Sequence, residues 1–590
     1  MSAPQNHHAE QIKQALKLHQ SGNLDDAMAI YKTVLSEDGN NVDALNLMGA
    51  LALGLGQTDA AIALTARAVE LAPDYFAPLV NLGNALQAAN RLDEAVDYFK
   101  RALVINARDG ATNNNLSSAL NALSQFDEAL DYANKAISAQ PDMAEAYNNL
   151  GNALKGLGDH IEAILSFQKA ISFDPDLGNA YYNLGTLFLE NENWDQAGEY
   201  LNIAVAKDDK SPEKLYNLGL YYQKTNDYKS ALNYYRKTVA INPDYTDAHV
   251  NLSACLRSLG RVQKSISACR RALKQQPDRA DVHWNLALSL LHAGEYDEGW
   301  QEYEWRWKNP DFTTKKRDFP CPQWQGQDAS GATLLIHAEQ GFGDTIQFIR
   351  YATLAAQRSG RVIVECYPSL KDLFENIDGV DQVFATGDPL PGFDFHVPVM
   401  SLPLLFETTV DTVPNDVPYL SVPDDIKPHD KIQASDKFKV GFCWAGSPTN
   451  ANDQNRSVKT ELFENLFDVD GVDFFSLQFG VGEDGFDKLS KRDNVFNIGP
   501  DLIGFDVTAA SMTALDLVIS VDTVTVHLAG AVNVPIWVLQ PFAMSYLWLA
   551  GEDSSPWYPS LKHFRQSSQG DWAGVMENVR KALFERVNSV

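Results

Sequence analysis

Residues 144–177 read AEAYNNLGNALKGLGDHIEAILSFQKAISFDPDL, and the organisation of the first half of the chain follows from this stretch. Its eighth position is glycine (Gly151), its twentieth alanine (Ala163), and proline stands near its end (Pro175). Moving 34 residues at a time in either direction finds the same pattern in Gly49, Gly83, Gly185 and Gly219, in Ala27, Ala61, Ala95, Ala129, Ala197 and Ala231, and in Pro73, Pro141, Pro243 and Pro277. Small residues on both of two helices let them approach closely. Proline ends the second helix, because it lacks an N–H donor and clashes with the preceding turn. The pattern predicts a helix-turn-helix unit repeated about nine times between residues 8 and 313.

A period of 34 is that of the tetratricopeptide repeat, so an α-solenoid is expected over 8–313. Asparagine occupies the sixth position of seven successive units: Asn81, Asn115, Asn149, Asn183, Asn217, Asn251 and Asn285. An amide that both donates and accepts, placed on the helix lining the concave face, suits an extended peptide backbone held without reading its sequence. The alternative is that these amides bond from one repeat to the next. The last unit ends in Trp300, Trp305 and Trp307, expected to dock the repeats onto the next domain.

The chain has 590 residues, 45% of them hydrophobic and 10% aromatic, which excludes collagen and wholesale disorder and requires more than one core. With 48 basic and 77 acidic residues the net charge is -29, a surface that repels nucleic acid and anionic lipid. The first residues carry no secretory pattern, and no apolar run of spanning length is present, so a soluble cytoplasmic protein without a membrane span is expected. Five scattered cysteines form no CxxC pair, and no structural zinc is expected.

Beyond residue 331 the period vanishes and strand-turn-helix alternation begins. ATLLIH (332–337), EQGFGD and TIQFIRYATLAAQ read as strand, turn and helix; KVGFCW, VDFFSLQ and DLVISVDTVTVHLAG repeat the alternation. A polar stretch near 433 separates two α/β halves, so lobes are expected at 332–432 and 433–590 with a cleft between them. The terminal helix, DWAGVMENVRKALFERV, is expected to cross back over the first lobe. GxGxxG followed by an acidic residue and GxxxxGK[ST] are both absent, which disfavours a nicotinamide dehydrogenase and a P-loop hydrolase.

Three strand ends carry the site reading. SVDTVTVHLAG (520–530) places Asp522, Thr523, Thr525 and His527 where a strand runs into a helix, a geometry suited to phosphate. The alternative for Asp522 is an ordinary helix cap. GFCWAGSPTNANDQNRS (441–457) contributes Gly446, Ser447 and the forked cation Arg456, and Gln478 ends a third strand.

HAEQGFGDTIQFIRY, WAGSP with NDQNRS, SLQ, DLVISVDTVTVHLAG and SPWYPSLKHFRQ together resemble the bacterial tetratricopeptide-glycosyltransferase fusions. Their catalytic halves are similar to heptosyltransferases and, more distantly, to O-linked N-acetylglucosamine transferases. The Asn register and the NLGNAL runs resemble the repeat arm of the latter. The resemblance implies a GT-B pair of Rossmann-like lobes, with the nucleotide-sugar in the second lobe and a protein acceptor, flagellin among them, held on Ser or Thr by the repeat arm. It implies Asp344 as general base; helix capping is the alternative role of that residue, and His337 and Glu339 are the next candidates. No metal ligand set is evident, so an inverting, metal-independent transfer is expected, with leaving-group charge neutralised by Arg456 and the helix end after Asp522. No cofactor is expected. Where the fusions carry an Arg-containing tryptophan run after the last strand, this chain has FAMSYLWLAG. That departure keeps open a second reading, a non-catalytic adaptor with a vestigial or sensing transferase domain.

Overall fold

The structure is a computed structural model that describes residues 3–589 apart from 449, 451, 481 and 482, so the 441–457 junction is described without two of its residues. The chain divides into two compact units, Met1–Asp227 and Tyr228–Val590.

The first unit is helical throughout. Its helices run in antiparallel pairs, such as Phe76–Ala88 with Leu92–Ile105 and Ala144–Gly156 with His160–Phe173. Side chains of Asn41, Asp109 and Ser211 accept N–H bonds from Ala44, Thr112 and Lys214 and start the helices that follow them. The small positions are set by contact. A Cβ on Gly83 or Gly151 would stand 2.5 Å from Phe99 or Phe167 of the paired helix, and Ala95, Ala129 and Ala163 are fully buried.

The second unit begins with five more repeat helices, Tyr228–Ile241 to Tyr296–Tyr303. Counting both units, eighteen described helices lie between Ala3 and Tyr303. Two parallel sheets come next. The first contains β1 (Ala329–His337), β2 (Ser359–Cys366), β3 (Gln382–Ala385) and β4 (Phe395–Pro398) in the order β3-β2-β1-β4. The second contains β5 (Phe438–Cys443), β6 (Val472–Ser476), β7 (Val495–Asn497), β8 (Leu517–Val521), β9 (Ile536–Gln540) and β10 (Leu561–Arg565) in the order β10-β9-β8-β5-β6-β7. All strand pairs are parallel. The second order is that of a doubly wound sheet, whose chain leaves β5 in one direction and returns on its other side at β8.

Alternation along the central strands divides the core of the second sheet. Val518 and Val538 face one cluster, while Leu517, Ile519, Val521, Trp537 and Leu539 face another. The first cluster is continuous with the first sheet and with Leu291, Tyr296, Trp300 and Tyr303 of the last repeat. The Trp300 ring meets Phe348 at 5.7 Å and Trp557 at 6.5 Å, both edge-on. This shared aromatic core is why compactness does not break at the expected border near 313: the last repeats bury their apolar face against the α/β body. Arg306, fully buried, adds a bidentate bridge to Glu339 at 2.9 and 3.0 Å.

The terminal helix departs from expectation. Trp572–Asn588 packs its Val575, Met576, Val579 and Leu583 against Phe463, Leu466 and Phe467 in the second cluster, over the second lobe and not the first. The sheet face opposite the lobe junction is apolar and needs a cover, and this amphipathic helix supplies it.

Candidate functional site

In doubly wound sheets, ligands bind beyond the carboxy ends of the strands where the winding reverses. Here that point lies between β5 and β8, and a cavity of about 450 Å³ occupies it. Gly446, Ser447, Gln478, Thr523 and Thr525 line it, so five of the candidate residues come together. Phe342, at the start of the helix after β1, and Ser369, in the short helical turn after β2, close it from the first lobe.

Thr523 is the N-cap of the helix Val524–Ala531, and its hydroxyl makes no capping bond. It is left facing the cavity beside the first N–H groups of that helix, the positive end of the helix dipole. Asp522 does not cap. Its carboxylate accepts the Trp548 indole N–H at 3.0 Å, and its carbonyl accepts Arg456 Nη1 at 3.1 Å. Burial raises the Asp522 pKa, opposed by Trp548 and Arg456. Arg456 is also held by Asp453 Oδ1 at 3.0 Å, and its guanidinium rests on Gly446 just behind the cavity wall.

Gln478 is spent on structure. Its Oε1 accepts the Ala445 and Trp444 N–H groups at 3.1 and 3.3 Å, and its Nε2 donates to the Ala445 carbonyl at 3.3 Å. It therefore shapes the loop after β5. His527 lies 4% exposed, bonded through Nδ1 to Tyr558 Oη at 3.1 Å and stacked on Trp548. Burial, with Arg350 nearby, lowers its pKa to about 3, so it is a neutral packing group. It explains Gly343, because a Cβ there would meet His527 Cδ2 at 2.7 Å.

Asp344 is half-buried in the third position of the helix Phe342–Phe348, which starts three residues before the expected Thr345 because Gly341 serves as N-cap. Its Oδ2 accepts the Gly341 N–H at 3.1 Å; no hydrogen bond engages Oδ1 among the described residues. Burial raises its pKa to about 6, offset by the Gly341 N–H and reinforced by the charges of Glu339 and Asp522.

The other base candidates are buried. His337 is buried, with Nε2 3.3 Å from His396 Nδ1 and its ring against Phe319; burial first, then His396 and Arg317, lower its pKa to about 3. Glu339 gives both oxygens to Arg306 and accepts the Met400 N–H at 2.9 Å.

Asparagine amides of the repeat register bond between repeats. Asn81 donates to Asn46 Oδ1, Asn115 to Asn84 Oδ1, Asn149 to Asn114 Oδ1 and Asn183 to Asn148 Oδ1, at 2.8 to 2.9 Å. Asn217 donates to Tyr182 Oη at 2.6 Å, and Asn285 turns to the Asp281 carbonyl within its own helix at 3.2 Å. Asn251, in the helix Thr246–Ser258, is half-buried. The nitrogens of Asn81, Asn115, Asn149, Asn183 and Asn217 thus serve the stack.

Sequence reasoning missed the apolar wall of the cavity, made by Leu477, Phe479, Phe505 and Met512. Phe479, 62% exposed just past a strand end, is the residue whose type carries a signal. It also missed Trp548, which only the fold brings to Asp522. Among the described residues, no group of three or more His, Cys, Asp or Glu is placed to hold a metal ion, and no helix is long and apolar enough to cross a membrane.

Fold and site together define a repeat protein joined to a doubly wound α/β body with a ligand-sized cavity. The tetratricopeptide repeat family is matched at residues 18–74, 79–108, 111–143, 144–177, 176–244, 216–278 and 267–304. Protein FlbA of Caulobacter vibrioides is 29% identical over 333 residues, 50% of this chain and 53% of FlbA, so the chain spans about half the length of that relative. Among solved structures, MamA is 27% identical over 29% of this chain and 92% of its own, with a TM-score of 0.26. A tetratricopeptide repeat protein from Parabacteroides merdae is 14% identical over 42% of this chain and 98% of its own, with a TM-score of 0.37.

Proposed function

We propose that the protein is an inverting protein O-glycosyltransferase of GT-B architecture. The observation that carries this reading is the cavity at the winding reversal of the second sheet, with small strand-end residues on one side and Phe342, two residues before Asp344, on the facing lobe. The lobe 433–590 holds the nucleotide-sugar and the lobe 332–432 faces the acceptor. The diphosphate sits at the Thr523–Thr525 helix end, with Ser447 donating and Arg456 adding positive charge behind Gly446. The apolar wall of Leu477, Phe479 and Phe505 takes the base.

Asp344 receives the proton of a Ser or Thr hydroxyl through Oδ1 as that oxygen attacks the anomeric carbon. A carboxyl poised near 6 is mostly ionised at neutral pH yet basic enough to accept a proton in the transition state. Arg456 and the helix end neutralise the departing nucleoside diphosphate. The repeats 8–313 hold the acceptor in the cytoplasm. With the amide nitrogens of Asn81, Asn115, Asn149 and Asn183 committed to neighbouring repeats, their carbonyl oxygens are the groups that receive peptide N–H bonds. The resemblance to flagellin-modifying fusions makes flagellin the first acceptor to try.

Calorimetry of the intact chain with UDP, CMP, GDP and ADP tests the donor site. One nucleotide is expected to bind saturably and to lose at least tenfold in affinity in Arg456→Ala and Thr523→Ala; no binding by any of the four overturns the assignment. The bound nucleotide then identifies the sugar donors to offer with flagellin, with transfer read by mass. One observation favours the adaptor reading instead. Trp548, from the divergent FAMSYLWLAG run, already occupies the Asp522 carboxylate, and nucleotide binding without transfer from any donor would select it.

A further inference from the structure

An aspartate just before a helix ordinarily turns its carboxylate onto the free N–H groups two and three residues further on. For Asp522 these are the N–H groups of Val524 and Thr525, which open the helix Val524–Ala531. Neither has an acceptor among the described residues, whereas the Val526 N–H is taken by the Thr523 carbonyl at 3.0 Å. The Asp522 carboxylate is engaged elsewhere: its Oδ2 accepts the Trp548 indole N–H at 3.0 Å. Thr523, Val524 and Thr525 line the cavity, and Asp522 is not part of its wall.

Burial decides between the two sets of donors. The Val524 and Thr525 N–H groups border a cavity, where water or a ligand can serve them. Trp548 is fully buried, so its indole N–H has only a protein acceptor to turn to. Three rings fix its orientation: His527 stacks on it at 5.7 Å and 12°, His563 meets it edge-on at 5.4 Å, and Tyr558 lies at 6.4 Å. His527 belongs to the same helix as the free N–H groups and is itself bonded to Tyr558 Oη at 3.1 Å.

We infer that Trp548 is a positioning residue of the cavity: by holding the Asp522 carboxylate it keeps the Val524 and Thr525 N–H groups open to an anionic group of the ligand. The inference rests on the reading of the cavity as a nucleotide site, and it holds for a transferase and for a nucleotide-sensing adaptor alike. A carboxylate on those N–H groups would occupy the donors and set a negative charge at the helix end that otherwise favours phosphate. Asp522 is held at a second point, because its carbonyl accepts Arg456 Nη1 at 3.1 Å. The open helix end and the cation behind Gly446 are thus kept in place through one residue.

Calorimetry of the intact chain with UDP, CMP, GDP and ADP tests this on the unaltered protein, Trp548→Phe, Asp522→Ala and the double variant. Phenylalanine keeps a ring against His527 and removes the donor. Trp548→Phe is expected to weaken the nucleotide that binds by about tenfold or more, and Asp522→Ala alone to leave it no weaker. In the Asp522→Ala background, Trp548→Phe should change affinity by less than about twofold, because the competing carboxylate is gone. A packing role would weaken binding equally in both backgrounds, and that result overturns the inference. Unchanged affinity in Trp548→Phe overturns it too, as does a tenfold loss in Asp522→Ala alone, which would put the carboxylate itself on the nucleotide. Each of these outcomes leaves the nucleotide site standing; binding of none of the four by the unaltered protein overturns the site and the inference together. Should either variant fail to fold, a crystal structure of the unaltered protein with its nucleotide decides. Phosphate on the Val524 and Thr525 N–H groups with Asp522 still on Trp548 supports the inference; Asp522 on those N–H groups or on the nucleotide overturns it.

Discussion

The Arg456 guanidinium rests directly on Gly446: a Cβ at 446 would collide with Nη2 and Cζ. Because Arg456 also donates to the Asp522 carbonyl, this one contact joins the end of β5 to the end of β8 at the mouth of the cavity. Gly446→Ala should push the guanidinium off its site, lower nucleotide affinity about tenfold and cost about 1–3 kcal/mol by overpacking. Calorimetry and denaturant unfolding of the same preparation read both effects. Unchanged affinity would mean that Arg456 does not serve the cavity.

Asp344 sets a pH signature. Its pKa in the folded protein, about 6, lies above the ordinary 3.8, so its share of stability is present below about pH 4 and is lost as the pH rises through 6. Asp344→Asn removes that loss, and should stabilise the protein at pH 7.5 by about 1–2 kcal/mol, discounted for the partial exposure of the group, with no gain below pH 4. The same variant should reduce glycosyl transfer by about 10²–10⁴-fold. In the unaltered protein, transfer should rise with pH through an apparent pKa near 6. A flat profile between pH 5 and 8 would remove Asp344 as base.

His337 and His527 act in the opposite direction. Each is buried neutral with a pKa lowered to about 3, so folding stability is complete above the ordinary histidine value and falls as the solution is acidified from about 6.5 towards 3. Each histidine should contribute a slope of up to about 1.4 kcal/mol per pH unit. Urea unfolding at pH 7, 6 and 5 measures it, and His527→Gln should flatten the curve.

Trp300→Ala opens a hole among Phe348, Trp557 and Tyr303. The loss expected is about 3–5 kcal/mol. Since that core is shared by the last repeat and both sheets, the α/β body should lose cooperativity in the melt, which a merely local cap would not cause.

Asn149→Ala deletes the bond to Asn114 Oδ1 and should destabilise the first unit by about 1 kcal/mol. Hydrogen exchange across 110–156 would locate the effect; no change there would return the asparagine register to ligand binding alone.

Much of the architecture was legible because it is periodic. A 34-residue repeat with fixed small positions leaves few alternatives to paired helices, and Gly83 against Phe99 shows why the eighth position stays small. Alternation of strand and helix after 331 likewise revealed a parallel α/β body, and runs of small residues after β5 and β8 marked the strand ends that line the cavity. The failures were of a different kind. Gln478, His527 and His337 have side chains suited to ligands, yet Gln478 is bonded to Ala445, His527 Nδ1 to Tyr558, and His337 Nε2 lies against His396. Residue type states what a group can bond and is silent on what stands beside it.

The sequence by itself determined the repeat, the alternation and the chemistry available at each strand end, because these depend on spacing within short segments. Tertiary structure decided which of those groups are free. Only folding brings Trp548 to Asp522 and Arg306 to Glu339, since each pair joins segments tens of residues apart and its energy depends on burial that no local pattern encodes. The winding order β10-β9-β8-β5-β6-β7 belongs to the same class: it places the cavity, and it exists only once the strands have paired.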